Sequence, residues 1–268
     1  MNNQATIDQI NDLPFGRAYK ITKCGKVEYV PSVTTVLKLN EDPFIQELRD
    51  ELGDEKFEEI RDRGGSRGTV MHRWLEIFME RYAEDYDASA SLIHTQKYIA
   101  STDEFSVLPG SLPRALKVGR ELFYNFYNAK FHDKIGKVLH NEIFLHTFFR
   151  GGWAGACDFV YEDRDGKLVI CDYKSSSIPK DLEHLDNYKM QISCYMFKYA
   201  EMFGVMPDRG EIIISNEQGT DLQWLTISNT EMKVHLRKFL ALLKEFRSQP
   251  EWLEFQEKMP VNLVNTDI

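Results

Sequence analysis

The chain has 268 residues, 43% of them hydrophobic, and a formal charge of −9. That length suits one elaborated domain or two small ones, and the excess of acid argues against a chain that coats duplex DNA, because Lys and Arg supply most non-specific affinity for phosphate. Its longest apolar stretches, residues 167–171 and 211–215, fall far short of the ~20 residues of a membrane-spanning helix, and its first residues lack the basic start and apolar run of a secretory signal, so a cytoplasmic chain without membrane contact is expected.

Residues 18–30 alternate as a strand pair around Cys24-Gly25, and Pro31-Ser32 then opens a short helix; residues 1–40 are read as this N-terminal hairpin and helix. Residues 41–62 hold ten Asp or Glu against three Lys or Arg, the pattern of a solvated helix face. Arg63-Gly-Gly-Ser-Arg-Gly-Thr69 is read as a break, with a new helix starting near residues 66–69 and carrying Met71, Leu75, Phe78, Met79 and Tyr82 at helical spacing. Residues 85–113 are polar and irregular and read as a long loop. A helix over 112–131 completes a helical region, 41–135, that is placed to cover a site further on.

Then the periodicity changes. Residues 138–147, 153–161 and 167–173 read as strands, 180–203 as a helix, 211–215 and 222–227 as strands, and 230–248 as a closing helix. Residues 136–250 thus form a core of order βββαββα and 251–268 a tail. This is an α/β fold with a central mixed sheet flanked by helices and an N-terminal helical elaboration. The four cysteines, Cys24, Cys157, Cys171 and Cys194, include no Cys-x-x-Cys pair, and three lie in apolar stretches, so buried free thiols are the simplest reading.

A register argument singles out the second and third core strands. With Arg164-Asp165-Gly166 as a three-residue hairpin loop and Gly166 in the left-handed position, Asp158 falls directly opposite Asp172. Like charges so placed are destabilising unless compensated, and a divalent cation compensates them. Lys174, two residues beyond Asp172, shares its face. Oxygen donors suit Mg²⁺ or Mn²⁺, and no His/Cys cluster favours zinc. The alternative is a solvent-facing hairpin whose charges merely pair, and spacing alone gives the two readings equal weight.

The ordered motifs Gly155-x-x-Asp158, Ile170-Cys-Asp-Tyr-Lys174 and Gln191-x-x-x-Tyr195 resemble the RecB-type branch of the PD-(D/E)XK nucleases. Gly68-Thr-Val-Met-His72-x-x-x-Glu76 looks like that branch's upstream helical motif, and Glu142 occupies its early acidic position. Pro31-Ser-Val-Thr34 is similar to the N-terminal region of the mitochondrial genome maintenance exonuclease and related phage exonucleases. The resemblance implies a restriction-endonuclease-like core in which Asp158, Asp172, the Tyr173 carbonyl and His72 bind metal and Lys174 acts in catalysis. It implies that Glu142 supports the site or its attacking water, and that Gln191 and Tyr195 brace the site and hold the substrate strand. Ser175 and Ser176, and Ser66, Arg67 and Thr69 at the expected helix start, are candidate phosphate contacts. Iron–sulfur members of the branch carry a C-terminal cysteine cluster; Cys194 is the last cysteine here, so no cluster is expected.

Each residue also has a simpler reading. His72 beside an apolar stripe is usually structural, Glu142 fits a surface salt bridge, and Tyr195 fits a core position. The aromatics Tyr82, Phe105, Phe123, Tyr124 and Tyr127 could stack bases in an arch, but helix packing explains most of them better. The resemblance implies an exonuclease acting on single-stranded DNA or DNA ends, with an endonuclease or flap nuclease as the nearest alternative. A non-catalytic DNA-binding subunit is a different class, and the acidic segment 41–62 is a candidate surface for a replication or recombination partner.

Overall fold

Alternation and turn chemistry account for the first sheet. In the computed structural model, which describes residues 5–40, 43–146, 152–219 and 221–259, β1 (Thr6–Leu13), β2 (Gly16–Lys23) and β3 (Lys26–Pro31) form an antiparallel sheet in that order. Cys24 and Gly25 have φ of 52° and 75°, the positive values that a two-residue turn matching strand twist requires. Ser32 accepts a hydrogen bond from the Thr35 N–H at 3.0 Å and so caps α1 (Val33–Leu37). β1 had escaped sequence reading because its side chains are mostly polar and exposed.

Four helices follow: α2 (Pro43–Leu52), α3 (Asp54–Asp85), α4 (Ala88–Ser101) and α5 (Leu112–Asn128). Two expectations are corrected here. The glycine segment does not end a helix: α3 runs unbroken for 32 residues. A glycine costs only about 1 kcal/mol in a helix interior, and burial of Phe57 before the segment, of Ser66 within it and of Val70, Met71, Trp74 and Leu75 after it outweighs that loss. Nor are residues 85–113 a loop. Asp87 accepts from the Ser89 and Ala90 N–H groups and starts α4, whose fully buried residues are Ser91 and Thr95. With hydroxyls bonded back to the helix's own carbonyls, that buried stripe carried no apolar periodicity to read. Most of residues 45–62 are exposed or half-buried, as a solvated acidic face should be; Glu41 and Asp42 lie outside the described residues.

The core then assembles from β4 (Ile135–His146), β5 (Ala154–Asp163), β6 (Leu168–Ser176), α6 (Asp186–Phe203), β7 (Arg209–Asn216), β8 (Gln223–Ser228) and α7 (Asn229–Arg247). The five strands lie in chain order, antiparallel except for β6 and β7, whose parallel pairing needs the crossover that α6 provides. Alternating side chains bury both faces. Val160, Ile170, Ile212 and Ile214 pack with Met190 and Phe239 of α6 and α7, while Phe159, Tyr161, Cys171 and Ile213 pack with Met71 and Phe123 of α3 and α5. The α/β class with a mixed sheet between helices is therefore what the chain adopts.

The expected tail begins with another helix, α8 (Pro250–Lys258). Its buried Trp252 and Phe255 sit 5.2 and 5.4 Å from Phe15, which also meets Phe246 of α7. Thr147, the expected strand end, and residues 260–268 lie outside the described residues. Cys157, Cys171 and Cys194 are buried as free thiols, and Cys24 is exposed. Among the described residues no helix is long and apolar enough to cross a membrane.

Two features yield tests of stability. A Cβ on Gly119 of α5 would stand 2.5 Å from the Val70 Cβ of α3, so Gly119→Ala should lower unfolding free energy by about 1–3 kcal/mol, read as a lower urea midpoint. On β3, burial pushes the Glu28 carboxyl up to about 7 even though Lys198 and Arg247 pull it down. An acid whose pKa rises on folding binds protons more tightly when folded, so its contribution to stability falls as pH climbs from about 4.5 to about 7. The melting temperature of Glu28→Gln minus that of the wild type should therefore grow between about pH 5 and pH 8; a constant difference would show that Glu28 does not titrate with folding.

Candidate active site

The hairpin of β5 and β6 sets the geometry. Gly166 has φ of 73° and donates from its N–H to the Asp163 carbonyl at 2.9 Å, closing the three-residue loop. Strand pairs run from Glu162↔Leu168 to Phe159↔Cys171, and one further step in this register places Asp158 opposite Asp172. There the ladder gives way to a side chain: the Tyr173 N–H donates to Asp158 Oδ2 at 2.7 Å. On the other side of β5, Asn141↔Phe159 and Ile143↔Cys157 bracket Glu142 opposite Asp158. Three adjacent strands thus carry three carboxylates in one row.

Burial decides their electrostatics. It pushes Asp172 up to about 6, with Asp158 adding to the rise and Lys174 opposing it. Lys174 Nζ forms an ion pair with Asp172 Oδ2 and lies 5.4 Å from the centre of the Tyr188 ring. Burial alone would depress the Lys174 ammonium, but Asp172 and Asp158 outweigh it and hold its pKa above the ordinary value. Burial would raise Asp158 too, yet His72, Lys174 and the Tyr173 N–H together bring it below the ordinary range. His72 Nδ1 reaches from α3 to 3.4 Å from Asp158 Oδ1; desolvation would depress its pKa, but that carboxylate raises it. The two facing aspartates are driven apart in acidity, the usual mark of a site that manages one surplus charge.

Further side chains hold this row in place. Gln191 Nε2 donates to Tyr195 Oη at 3.0 Å and to Asp172 Oδ1 at 3.4 Å, and both α6 side chains are buried. A Cβ on Gly155 would meet the Tyr195 ring at 3.0 Å, which gives the glycine of Gly155-x-x-Asp158 a steric reason. Burial, then Glu76 and Asp158, raise the Glu142 carboxyl. Glu76 is itself paired with Arg73 at 2.7 Å, and Asn141 Nδ2 donates to the Glu76 carbonyl at 2.6 Å. Tyr173 turns its ring into the opposite core against Phe126, Phe131 and Phe159, leaving its backbone beside Asp158.

The remaining candidates are dispersed. Because α3 is continuous, Ser66, Arg67 and Thr69 lie mid-helix, and the anion site expected at a helix start is not formed. Ser66 is buried and donates to the Pro109 carbonyl at 2.8 Å, Thr69 Oγ1 donates to the Gly65 carbonyl, and buried Ser176 donates to the Ile178 carbonyl at 2.6 Å. Ser175 Oγ lies 3.0 Å from where a Gly68 Cβ would stand. Arg67 Nη1 donates to Ser177 Oγ at 2.9 Å and pairs with Glu217. Tyr82, Phe105 and Phe123 are packed in the helical core. Tyr188 was missed, although it stands one turn before Gln191 on α6; Glu217 had no sequence signal, because the β7–β8 turn meets α3 only in the fold.

Among the described residues no three His, Cys, Asp or Glu side chains form a ready-made metal cage. The donors at the centre of the row are nonetheless two facing carboxylates, Asp172 buried and Asp158 half-buried, beside a strand backbone. Hard oxygen donors of this kind suit a divalent cation, and a cation would relieve their repulsion; these residues fit such an ion.

A family model described as the PD-(D/E)XK nuclease superfamily matches residues 32–259. No curated protein matches. A solved structure of a protein from Eubacterium rectale, described as a candidate exonuclease, is 12% identical over 70% of this chain and 74% of that one, with a TM-score of 0.43. Another, SSO0001, is 15% identical over 68% of this chain and 76% of that one, with a TM-score of 0.32.

Glu142 has φ of 58°, a left-handed conformation that costs a residue with a Cβ about 1–2 kcal/mol. Glycine adopts it without that penalty. Glu142→Gly should therefore raise the urea midpoint, while Glu142→Ala, which loses the same carboxylate but keeps a Cβ, should gain less; equal midpoints would show that the backbone there is unstrained.

Proposed function

The chain belongs to the PD-(D/E)XK nuclease superfamily, and we propose that it is a metal-dependent DNA exonuclease that hydrolyses phosphodiester bonds in single-stranded DNA or at DNA ends, in replication, recombination or repair. The observation that carries this reading is the facing Asp158–Asp172 pair, Asp172 buried and Asp158 half-buried, with Lys174 held against it. In this reading Asp158, Asp172 and the Tyr173 carbonyl hold Mg²⁺ or Mn²⁺, with His72 reaching in from α3. The bound ion supplies Lewis acidity toward the negative charge that develops on the phosphate.

The protein's own groups do the rest. Lys174, held as an ammonium by Asp172 and Asp158, is suited to orienting the attacking water by hydrogen bonding. Gln191 fixes the Asp172 carboxylate, and Tyr195 fixes the Gln191 amide. Glu142, with a raised pKa beside Asp158, is suited to passing a proton near the site. Ser175, near the outgoing end of β6, and Arg67, which reaches from α3 to Ser177, are our candidates for contacts to phosphates of the strand. Preference for single strands or ends is supported by α3 packing across β4 and β6 beside the site and by a net charge of −9, which disfavours lying along a duplex.

Incubation with end-labelled single- and double-stranded DNA in Mg²⁺, in Mn²⁺ and in chelator tests the proposal. Cleavage should require the metal and fall about a hundredfold or more in Asp172→Asn and in Lys174→Ala. Activity that survives chelation, or that persists in both variants, would overturn the mechanism. Separate 5′ and 3′ labels report polarity, and a circular substrate left intact distinguishes an exonuclease from an endonuclease.

A further inference from the structure

The glycines of α3 are only partly explained by packing. Gly68 has Ser175 against it, but a Cβ on Gly65 would meet nothing within 4 Å, and one on Gly64 would meet only Arg67 Nη2, at an ordinary 3.8 Å. Two such residues weaken the helix by about 2 kcal/mol relative to alanine. Nothing in the fold requires them, and bare backbone otherwise serves the close approach of a ligand.

The side chains around this bare surface are cationic. Arg67 is largely buried, its side chain 12% exposed, and its Nε has no hydrogen-bond partner. Burial depresses the Arg67 guanidinium against the pull of Glu217, Arg114 and Arg63 lie close enough to add to the depression, and all three arginines line one cleft with Glu217. Arg114 is exposed and makes no ion pair among the described residues. Arg63 pairs with Glu59 at 2.7 Å. Glu217 is held in place from behind: its N–H donates to the Ser176 carbonyl, and Asn125 Nδ2 donates to the Asn216 and Gly219 carbonyls of the same turn. Its carboxylate therefore sits on Arg67 where a phosphate oxygen would be equally at home.

We propose that Arg67, Arg63, Arg114 and the Ser177 hydroxyl form a second phosphate subsite beside the catalytic row, that the strand passes over the bare Gly64–Gly65 surface of α3 to reach it, and that Glu217 competes with the phosphate for Arg67. The proposal rests on the nuclease reading above. The position suits it: at about 3.3 Å per residue along an extended chain, Ser177 stands roughly 10 Å beyond Lys174, on the far side of Ser175. Glu217 then lowers affinity for nucleic acid in general, so that the strand is held by the metal site and this subsite together and released once either lets go.

The test is fluorescence anisotropy of a labelled single-stranded oligonucleotide in chelator, over a series of salt concentrations, with the full chain. Glu217→Gln should bind more tightly than the wild type and Arg114→Ala more weakly, the latter with a logarithmic salt slope shallower by about 0.7 for each phosphate that is no longer neutralised. Gly64→Leu should melt at or above the wild-type temperature yet bind more weakly, a combination that a merely structural glycine would not give. Folded Gly64→Leu and Arg114→Ala that bind like the wild type, or Glu217→Gln that binds more weakly, would overturn the proposal. Repeating the series with and without a 5′-phosphate assigns the subsite: equal effects place an internal diester there, and effects confined to the phosphorylated strand place the terminal monoester. If the wild type neither binds nor cleaves DNA, the nuclease reading itself fails; if it cleaves and the variants bind unchanged, only this subsite does.

Discussion

Two carboxylates set opposite each other on neighbouring strands, Asp172 buried and Asp158 half-buried, are an electrostatic conflict, and the centre of this molecule is arranged around it. Like charges in that geometry oppose folding, and desolvation sharpens the repulsion. The surroundings answer unequally. Asp172 takes Lys174 and the Gln191 amide, while Asp158 takes the Tyr173 N–H and His72. Facing oxygen donors of this kind fit a divalent cation, which would relieve the repulsion between them.

The fold meets this demand with rigid parts. Asp158 and Asp172 stand on strands of a sheet buried on both faces, so their separation follows from register and pleat rather than from loop motion. His72 arrives on a 32-residue helix, and Gln191 arrives on the crossover helix that the parallel β6–β7 pairing requires. Within the row of carboxylates, Glu142 is irregular in its left-handed conformation. Backbone strain of that kind gathers at functional sites, where the surrounding structure can hold it.

Much of this was legible in the sequence for identifiable reasons. The Asp158–Asp172 register followed from one glycine and a loop length, because the period of a strand is two and leaves a single pairing. Gln191 and Tyr195 were legible through the resemblance of Gln191-x-x-x-Tyr195 to the family's motif, with which their shared helix face agrees. What escaped reading shares a different physical origin. The α4 stripe is built from Ser91 and Thr95, so burial there has no hydrophobic signature. The run Gly64-Gly65 looked like a helix break because local propensity was weighed without the packing on either side. Glu217 joins Arg67 only through tertiary proximity, which no local pattern encodes, and the strain at Glu142 is a property of backbone angles alone.

The aromatic cluster around Phe15 carries a consequence for how the protein comes into being. Phe15 precedes β2, yet its partners are Phe246, Trp252 and Phe255, separated from it by nearly the entire chain. During synthesis the first sheet must wait with that apolar ring uncovered while every intervening element is translated, and loop closure over such a span is entropically slow. The order of the ribosome's work and the order of packing therefore disagree here. A nascent chain stalled before α8 would hold its catalytic strands and still leave its beginning unsealed, open to chaperones or proteases.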